Sequence, residues 1–213
     1  MTDPAEFIRG NAALIAPPLV PEVRLHLAIE VVPLWRKTEE ELHEEGVPPP
    51  YWAFAWAGGQ ALARYVLDNP ETVRGRRVLD FGSGSGLVAI AAAKAGAAHV
   101  LAADIDAFAA AAIALNVEAN DTRVEITTDD VIGRDGAWQT ILVGDMCYER
   151  PLAERLLVWL TERRRAGALV LLGDPGRTYF PKSGVEKLAT YNVQTTRELE
   201  DREIRETSVY RLV

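Results

Sequence analysis

The chain has 213 residues, of which 48% are hydrophobic and 25% charged, with one cysteine and a formal net charge of −8. A chain of this length buries roughly 70% of its unfolded surface, so stability requires neither a metal nor a disulfide. The single cysteine and the lack of a signal-peptide pattern favour a reducing, cytoplasmic location. The acidic balance argues against nucleic-acid binding, and the apolar runs are shorter than the roughly 20 residues of a membrane span.

The first 60 residues are predicted to form a helical cap on the ligand side of a core domain at residues 61–213. A run of three prolines at 48–50 is predicted to be an extended joint that ends any preceding helix. Thr38 is a candidate N-cap residue. Helices in this part of the chain are predicted at 4–15, 34–45 and 59–67.

After residue 75, short apolar runs alternate with helical stretches, a pattern that predicts parallel strands joined by crossover helices. The five predicted strands are 77–81, 98–104, 124–128, 139–144 and 168–173. The three helices between them are 86–95, 107–120 and 152–165. Two further β-rich segments, 191–198 and 208–213, are joined by only about nine residues, too few for a crossover helix, so we expect an antiparallel hairpin. The predicted fold is therefore an α/β, doubly wound, seven-stranded, mostly parallel sheet.

A glycine-rich turn follows the first strand of this alternation. Gly82, Ser83, Gly84 and Gly86 lie between that strand and its helix, where backbone N–H groups can approach a nucleotide-type ligand. A dinucleotide fingerprint would place a third glycine at position 87, where this chain has Leu87. The spacing therefore counts against NAD.

Asp80 precedes this turn by two residues, and its carboxylate is predicted to point into the ligand crevice. Beside a pyrophosphate this charge would cost on the order of a few kcal/mol. S-adenosylmethionine has no phosphate and carries an ammonium and a sulfonium, which the same carboxylate attracts. The turn therefore favours S-adenosylmethionine as the cofactor, and a merely structural glycine-rich turn is the alternative.

Acidic residues also end the next two predicted strands. Asp104 is placed where a carboxylate can accept hydrogen bonds from both ribose hydroxyls, and the adjacent Ile105 is included in the cofactor site. Asp106 is predicted to cap the following helix. Asp129 or Asp130 is predicted to meet the adenine amino group, and a solvated turn is the alternative for each.

These motifs resemble known families. The Asp80 turn together with Asp104 is similar to the class I S-adenosylmethionine-dependent methyltransferases, over roughly residues 60–213. Four further segments narrow the resemblance: PYWAFAWAGGQ (50–60), LDNP (67–70), GDMCY (144–148) and GDPGR (173–177). With these segments the chain resembles more closely, from about residue 20 onward, the electron transfer flavoprotein β subunit lysine methyltransferase family, although that family has proline where this chain has Ala57. The resemblance implies a monomeric protein-lysine methyltransferase with an acidic and aromatic pocket.

Asp145 and Tyr148 match the acidic–aromatic motif that this group carries after its fourth strand. We expect Asp145 to accept a hydrogen bond from the target amine and Tyr148 to form the channel wall, with its ring face available to a cation. Helix capping is the alternative for Asp145, and packing for Tyr148. Arg177 is placed where it can hold Asp145 or a substrate acid. Trp52 and Trp56 flank the glycine turn; Trp56 is assigned to the cofactor site, and one of the two is expected to be ordinary packing.

Other functions stay open at this point. Ribosomal protein L11 methyltransferases share the glycine turn and a similar acidic loop, so a ribosomal protein is an alternative substrate. A cofactor-binding module without catalysis and an NAD-dependent reductase are further alternatives. His26, His43 and His99 share no ligand spacing, so no metal site is predicted. Cys147 is predicted to be a small buried residue and not a nucleophile.

Overall fold

The structure is a computed structural model that describes residues 3–28, 49–195 and 203–213. Within these ranges, the helices are α1 Pro4–Asn11, α2 Ala57–Asp68, α3 Leu87–Lys94, α4 Ala107–Ala119 and α5 Arg150–Arg165. The strands are β1 Ala13–Ile15, β2 Leu25–Leu27, β3 Arg77–Phe81, β4 His99–Ala103, β5 Glu125–Thr127, β6 Thr140–Gly144, β7 Leu169–Asp174, β8 Val185–Gln194 and β9 Ile204–Leu212. None of these helices is long and apolar enough to cross a membrane.

The large sheet has seven strands in the order β5-β4-β3-β6-β7-β9-β8. Strands β3 to β7 pair in parallel, and β9 is antiparallel to both β7 and β8. Side chains alternate between the two faces of each strand. Val78 and Leu142 pack in the cluster that includes α2 and α3, whereas Leu79 and Ile141 pack against α5. Both faces are covered, and the predicted doubly wound sheet with its C-terminal hairpin is confirmed.

Three boundaries differ by four residues or more from the sequence predictions, and one of them is the start of β9, which lies at Ile204 and not at residue 208. Helix α1 ends at Asn11, where the side-chain amide donates to the carbonyl of Phe7, and the next residues form β1, which pairs with β2. The prediction of helix to residue 15 is therefore wrong. Strand β8 begins at Val185 and not at the predicted residue 191. It lies at the edge of the sheet, where charged side chains such as Glu186 and Lys187 are common, so these charges do not end the strand. The predicted helix at 34–45, Thr38 and the end of the 191–198 strand lie outside the described residues.

Helix α2 begins directly over the carboxyl ends of β6 and β7, and glycines permit this close approach. A Cβ at Gly173 would lie 2.2 Å from the carbonyl oxygen of Gly58, and one at Gly144 would lie 3.1 Å from Cα of Gly59. Any larger side chain would push the helix away from the sheet. The positive end of α2 is thereby placed beside Asp145, the residue that follows β6.

Part of the described N-terminal region packs on α4. Ile8, Trp52 and Phe54 form one cluster with Phe108 and Leu115 of that helix. The chain then runs from this cluster past the glycine turn into α2. The division into residues 1–60 and 61–213 stays a prediction.

Candidate active site

A pocket of about 480 Å³ opens at the carboxyl edge of the parallel strands, beside the turn between β3 and α3. A cavity of this size suits a small-molecule ligand. The excess of acidic side chains on its wall favours a cationic ligand and opposes a pyrophosphate. The charged residues that line it are Asp104, Asp106, Asp129, Asp130, Asp145, Arg155 and Arg177.

The glycine turn brings backbone to the wall of this pocket. Gly82, Gly84 and Gly86 all have positive φ angles (63°, 53° and 82°), which side chains rarely adopt. Gly82 and Gly84 line the pocket, whereas Ser83 and Gly86 do not. A Cβ at Gly82 would come 2.3 Å from the sulfur of Met146, so this contact also requires glycine.

Asp80 lies behind the turn, outside the pocket wall. It is 2% exposed, and its Oδ2 accepts hydrogen bonds from Ser83 Oγ (2.6 Å) and from the backbone N–H of Ala89 (2.9 Å) in the first turn of α3. The carboxylate thus satisfies a free N–H group at a helix start. Burial raises the pKa of Asp80 to about 7, and the nearby charge of Asp104 acts in the same direction. The prediction that this carboxylate points into the crevice is therefore wrong, because the turn and the helix already hold it.

Asp104 lies on the pocket wall at the end of β4. One carboxylate oxygen accepts from Gly84 N–H at 2.8 Å and the other from Asp106 N–H at 3.1 Å. Each oxygen retains a second lone pair for a ligand hydroxyl, and burial raises the pKa of the carboxyl group. Ile105 also lines the pocket and is 77% exposed. Asp106 accepts from Phe108 N–H, which confirms the predicted helix cap.

Asp129 and Asp130, which follow β5, both line the pocket. Asp129 pairs with Arg134 at 3.0 Å and Asp130 with Arg155 at 2.8 Å. The hydrogen bond from Arg155 lowers the pKa of Asp130. Since both carboxylates reach the same wall, their alternative roles toward adenine stay predictions.

Asp145 is held from three sides. Its Oδ1 accepts from both Nε (3.2 Å) and Nη2 (2.7 Å) of Arg177, and its Oδ2 accepts from Gly59 N–H (2.9 Å). Its own N–H donates to the carbonyl of Gly173, and its backbone has a left-handed φ of 59°. The predicted contact between Arg177 and Asp145 is confirmed. The helix whose start faces Asp145 is α2, and not the helix that follows it in sequence.

Two contacts around Asp145 and Arg177 lie outside the sequence predictions. The first involves Gly59, which is predicted only to begin a helix, although two consecutive glycines at a helix start are a signal for close backbone approach. The second involves Asp174, which follows the strand predicted at 168–173. Asp174 Oδ1 accepts from the N–H groups of Gly176 and Arg177, both at 2.7 Å, so it orients the chain that carries the arginine.

Aromatic rings form the outer wall of the pocket. Tyr148 is 41% exposed and lies 5.9 Å from the ring of Tyr51, which in turn lies 6.1 Å from the ring of Trp56. The guanidinium of Arg177 lies 5.7 Å from the centre of the Trp56 ring. Trp52 also lines the pocket, although its side chain is fully buried in the cluster on α4. Which member of the tryptophan pair serves packing alone stays a prediction.

The remaining reactive groups have structural roles. Cys147 is buried, and the loss of solvent together with the charges of Asp174 and Asp145 raises its pKa to about 12. A thiol of this kind is not a nucleophile at neutral pH. Among residues 3–28, 49–195 and 203–213, no cluster of metal-ligating side chains is found.

Comparisons with known proteins agree with this architecture. A family profile of ribosomal protein L11 methyltransferases matches residues 60–142. The magnesium protoporphyrin IX methyltransferase of Synechocystis, solved with bound S-adenosylmethionine, superposes with a TM-score of 0.54 at 15% identity, over 73% of this chain and 78% of that one. At this identity the superposition supports the fold alone.

Sequence relatives are more informative. The electron transfer flavoprotein β subunit lysine methyltransferase of Xenopus laevis is 42% identical over 98% of this chain and 87% of its own length. A homologue of that enzyme in Caenorhabditis elegans is 35% identical over 91% of this chain and 84% of its own length. The chain therefore belongs to the electron transfer flavoprotein β subunit lysine methyltransferase family.

Proposed function

We propose that this protein transfers a methyl group from S-adenosylmethionine to a lysine ε-amine of the electron transfer flavoprotein β subunit. The observation that supports it best is the position of Asp145. Its carboxylate shares one acidic pocket with the glycine turn and with the rings of Tyr148 and Trp56. The proposed substrate, the β subunit of the electron transfer flavoprotein, is the protein after which the sequence relatives are named.

The pocket residues fit S-adenosylmethionine. The backbone of Gly82 and Gly84 allows close approach, Asp104 is available to the ribose hydroxyls, and Asp129 or Asp130 to the adenine amino group. The cofactor, when bound, supplies a methyl group on a positively charged sulfur, which the acidic wall accommodates without a phosphate site. Ile105 and Trp56 would add apolar surface, and Asp80, Ser83 and Gly86 would support the turn from behind.

The target amine must be uncharged to accept the methyl group. A lysine with a pKa near 10.4 is only about 0.1% neutral near pH 7.4, a deprotonation penalty of roughly 4 kcal/mol. A nearby cation and a partly apolar wall both favour the neutral amine. Asp145 would orient the amine, Tyr148 would limit access of water, and the proton would leave to solvent.

Methyl transfer to a defined protein tests the proposal. Purified enzyme with tritiated S-adenosylmethionine and the electron transfer flavoprotein should label the β subunit, and mass spectrometry should locate the label on lysine. Asp145→Ala should reduce the rate about 100-fold, because orientation is lost. Glu186→Gln, at an exposed carboxylate of β8 outside the pocket, should retain the rate.

Other results would redirect or reject the proposal. Labelling of a ribosomal protein in place of the flavoprotein would favour the alternative substrate. Cofactor binding without transfer to either protein would favour a non-catalytic module. A monomeric state and a cytoplasmic location remain predictions, testable by light scattering and by cell fractionation.

A further inference from the structure

Arg177 is fixed in the pocket wall by three independent contacts. The turn at Asp174 holds its backbone, Asp145 accepts two of its side-chain N–H groups, and the ring of Trp56 lies 5.7 Å from its guanidinium. Only 19% of its side chain is exposed, and 10% of that of Asp145. The cation is therefore preorganised and does not depend on a bound ligand for its position.

This arrangement changes the electrostatic character of Asp145. The carboxylate meets a full positive charge on Oδ1 and the positive end of α2, through Gly59 N–H, on Oδ2. An unpaired carboxylate would bind the target ammonium tightly and raise its pKa, which opposes methyl transfer. A paired carboxylate can still accept a hydrogen bond from the amine, but it no longer favours the charged form of the amine.

We infer that Arg177 is a positioning residue that neutralises Asp145 and thereby lowers the pKa of the target lysine in the enzyme–substrate complex. This inference rests on the proposed function and assigns to the Arg177–Asp145 pair a role that orientation alone does not require. Arg177 selects for the neutral amine, and Asp145 directs that amine toward the methyl donor. The proton leaves to water before transfer, so no other base is needed.

The inference makes a prediction that a purely structural role does not. Arg177→Gln should move the rising limb of kcat against pH to higher pH by about one unit, since kcat reports the groups of the enzyme–substrate complex. At pH 7 the rate should fall about tenfold and should recover at high pH. In the presence of S-adenosylhomocysteine, the same variant should bind the flavoprotein up to about tenfold more tightly at pH 7, because linkage couples the two effects.

The experiment compares wild type, Arg177→Gln and Arg177→Lys. Arg177→Lys retains the positive charge without the paired hydrogen bonds, so the rising limb of kcat against pH should stay at the wild-type pH. Arg211→Gln removes an ion-paired arginine of β9 outside the pocket and serves as the matched control. Calorimetric binding of S-adenosylmethionine shows that each variant retains its pocket; should Arg177→Gln fail to fold, Arg177→Met replaces it.

If the rising limbs of kcat against pH were the same for wild type and Arg177→Gln, the inference would be wrong. It would also be wrong if the limb shifted equally in Arg177→Lys, or if Arg177→Gln bound the flavoprotein more weakly. These results differ from failure of the proposed function, in which the wild-type enzyme itself would not methylate the flavoprotein.

Discussion

Gly58→Ala tests whether the start of α2 positions Asp145. The new Cβ would lie 2.2 Å from the carbonyl oxygen of Gly173 and 2.5 Å from Oδ2 of Asp145. Ordinary contact requires at least about 3.4 Å, so the helix and the strand must separate by about 1 Å. The oxygen of Gly173 also accepts the N–H of Asp145, so the displacement reaches the carboxylate through the backbone as well.

Two opposing contributions determine how much Gly58→Ala changes the free energy of unfolding. Overpacking of this kind costs about 1–3 kcal/mol, and replacing glycine by alanine within a helix returns about 0.5–1 kcal/mol. We therefore expect the free energy of unfolding to fall by up to about 2.5 kcal/mol. The methylation rate should fall about 100-fold, since a displacement near 1 Å has that effect on aligned reactants.

Denaturant unfolding and initial rates of tritium transfer measure both effects. Gly59→Ala is the matched control for stability, because a Cβ there meets nothing within 4 Å, and its free energy of unfolding should not fall. Gly10→Ala, in open space on α1, controls for the rate. Wild-type stability and rate in Gly58→Ala would refute the argument that close helix–sheet contact fixes Asp145.

Three further predictions concern the surrounding residues. Asp80 has a folded-state pKa of about 7 against 3.8 for an ordinary carboxyl, so its contribution to stability is lost as pH rises through 7; between pH 6 and 8 the free energy of unfolding of wild type should fall about 1 kcal/mol more than that of Asp80→Asn. Asp106→Ala should lower the free energy of unfolding by about 1 kcal/mol through loss of the α4 cap, and Asp106→Asn should restore it, as measured by thermal melts. Cys147 should react with thiol reagents at pH 8 only as fast as the protein unfolds, and rapid labelling of the folded protein would contradict its burial.

Much of the fold could be predicted because its signals are local. Continuous apolar strands such as β6 and β7, joined by helices of suitable length, specify a parallel sheet with both faces covered. The failures occurred where tertiary contacts decide the outcome. Residues 13–15 form a strand because β2 is available to pair with them, and β8 extends to Val185 because an edge strand tolerates charged side chains.

The sequence predicts which residues lie near the candidate site, but it does not predict which way their side chains point. Position at strand ends placed Asp104, Asp145 and Tyr148 near one pocket. Sequence does not reveal which way a carboxylate turns, and Asp80 turns toward the start of α3, where N–H groups compensate its burial. The contact between Asp145 and Gly59 joins segments 86 residues apart. No local sequence pattern specifies a contact between such distant segments. The contact forms because glycines let α2 approach the sheet closely.

Calorimetric titration with S-adenosylmethionine and with NAD is the most direct test of an acidic pocket that accepts a cationic, phosphate-free cofactor. We predict that S-adenosylmethionine binds at one molecule per chain, that Asp104→Ala weakens it about tenfold or more, and that NAD does not bind. Binding of NAD, or undiminished affinity in Asp104→Ala, would contradict this account of the pocket.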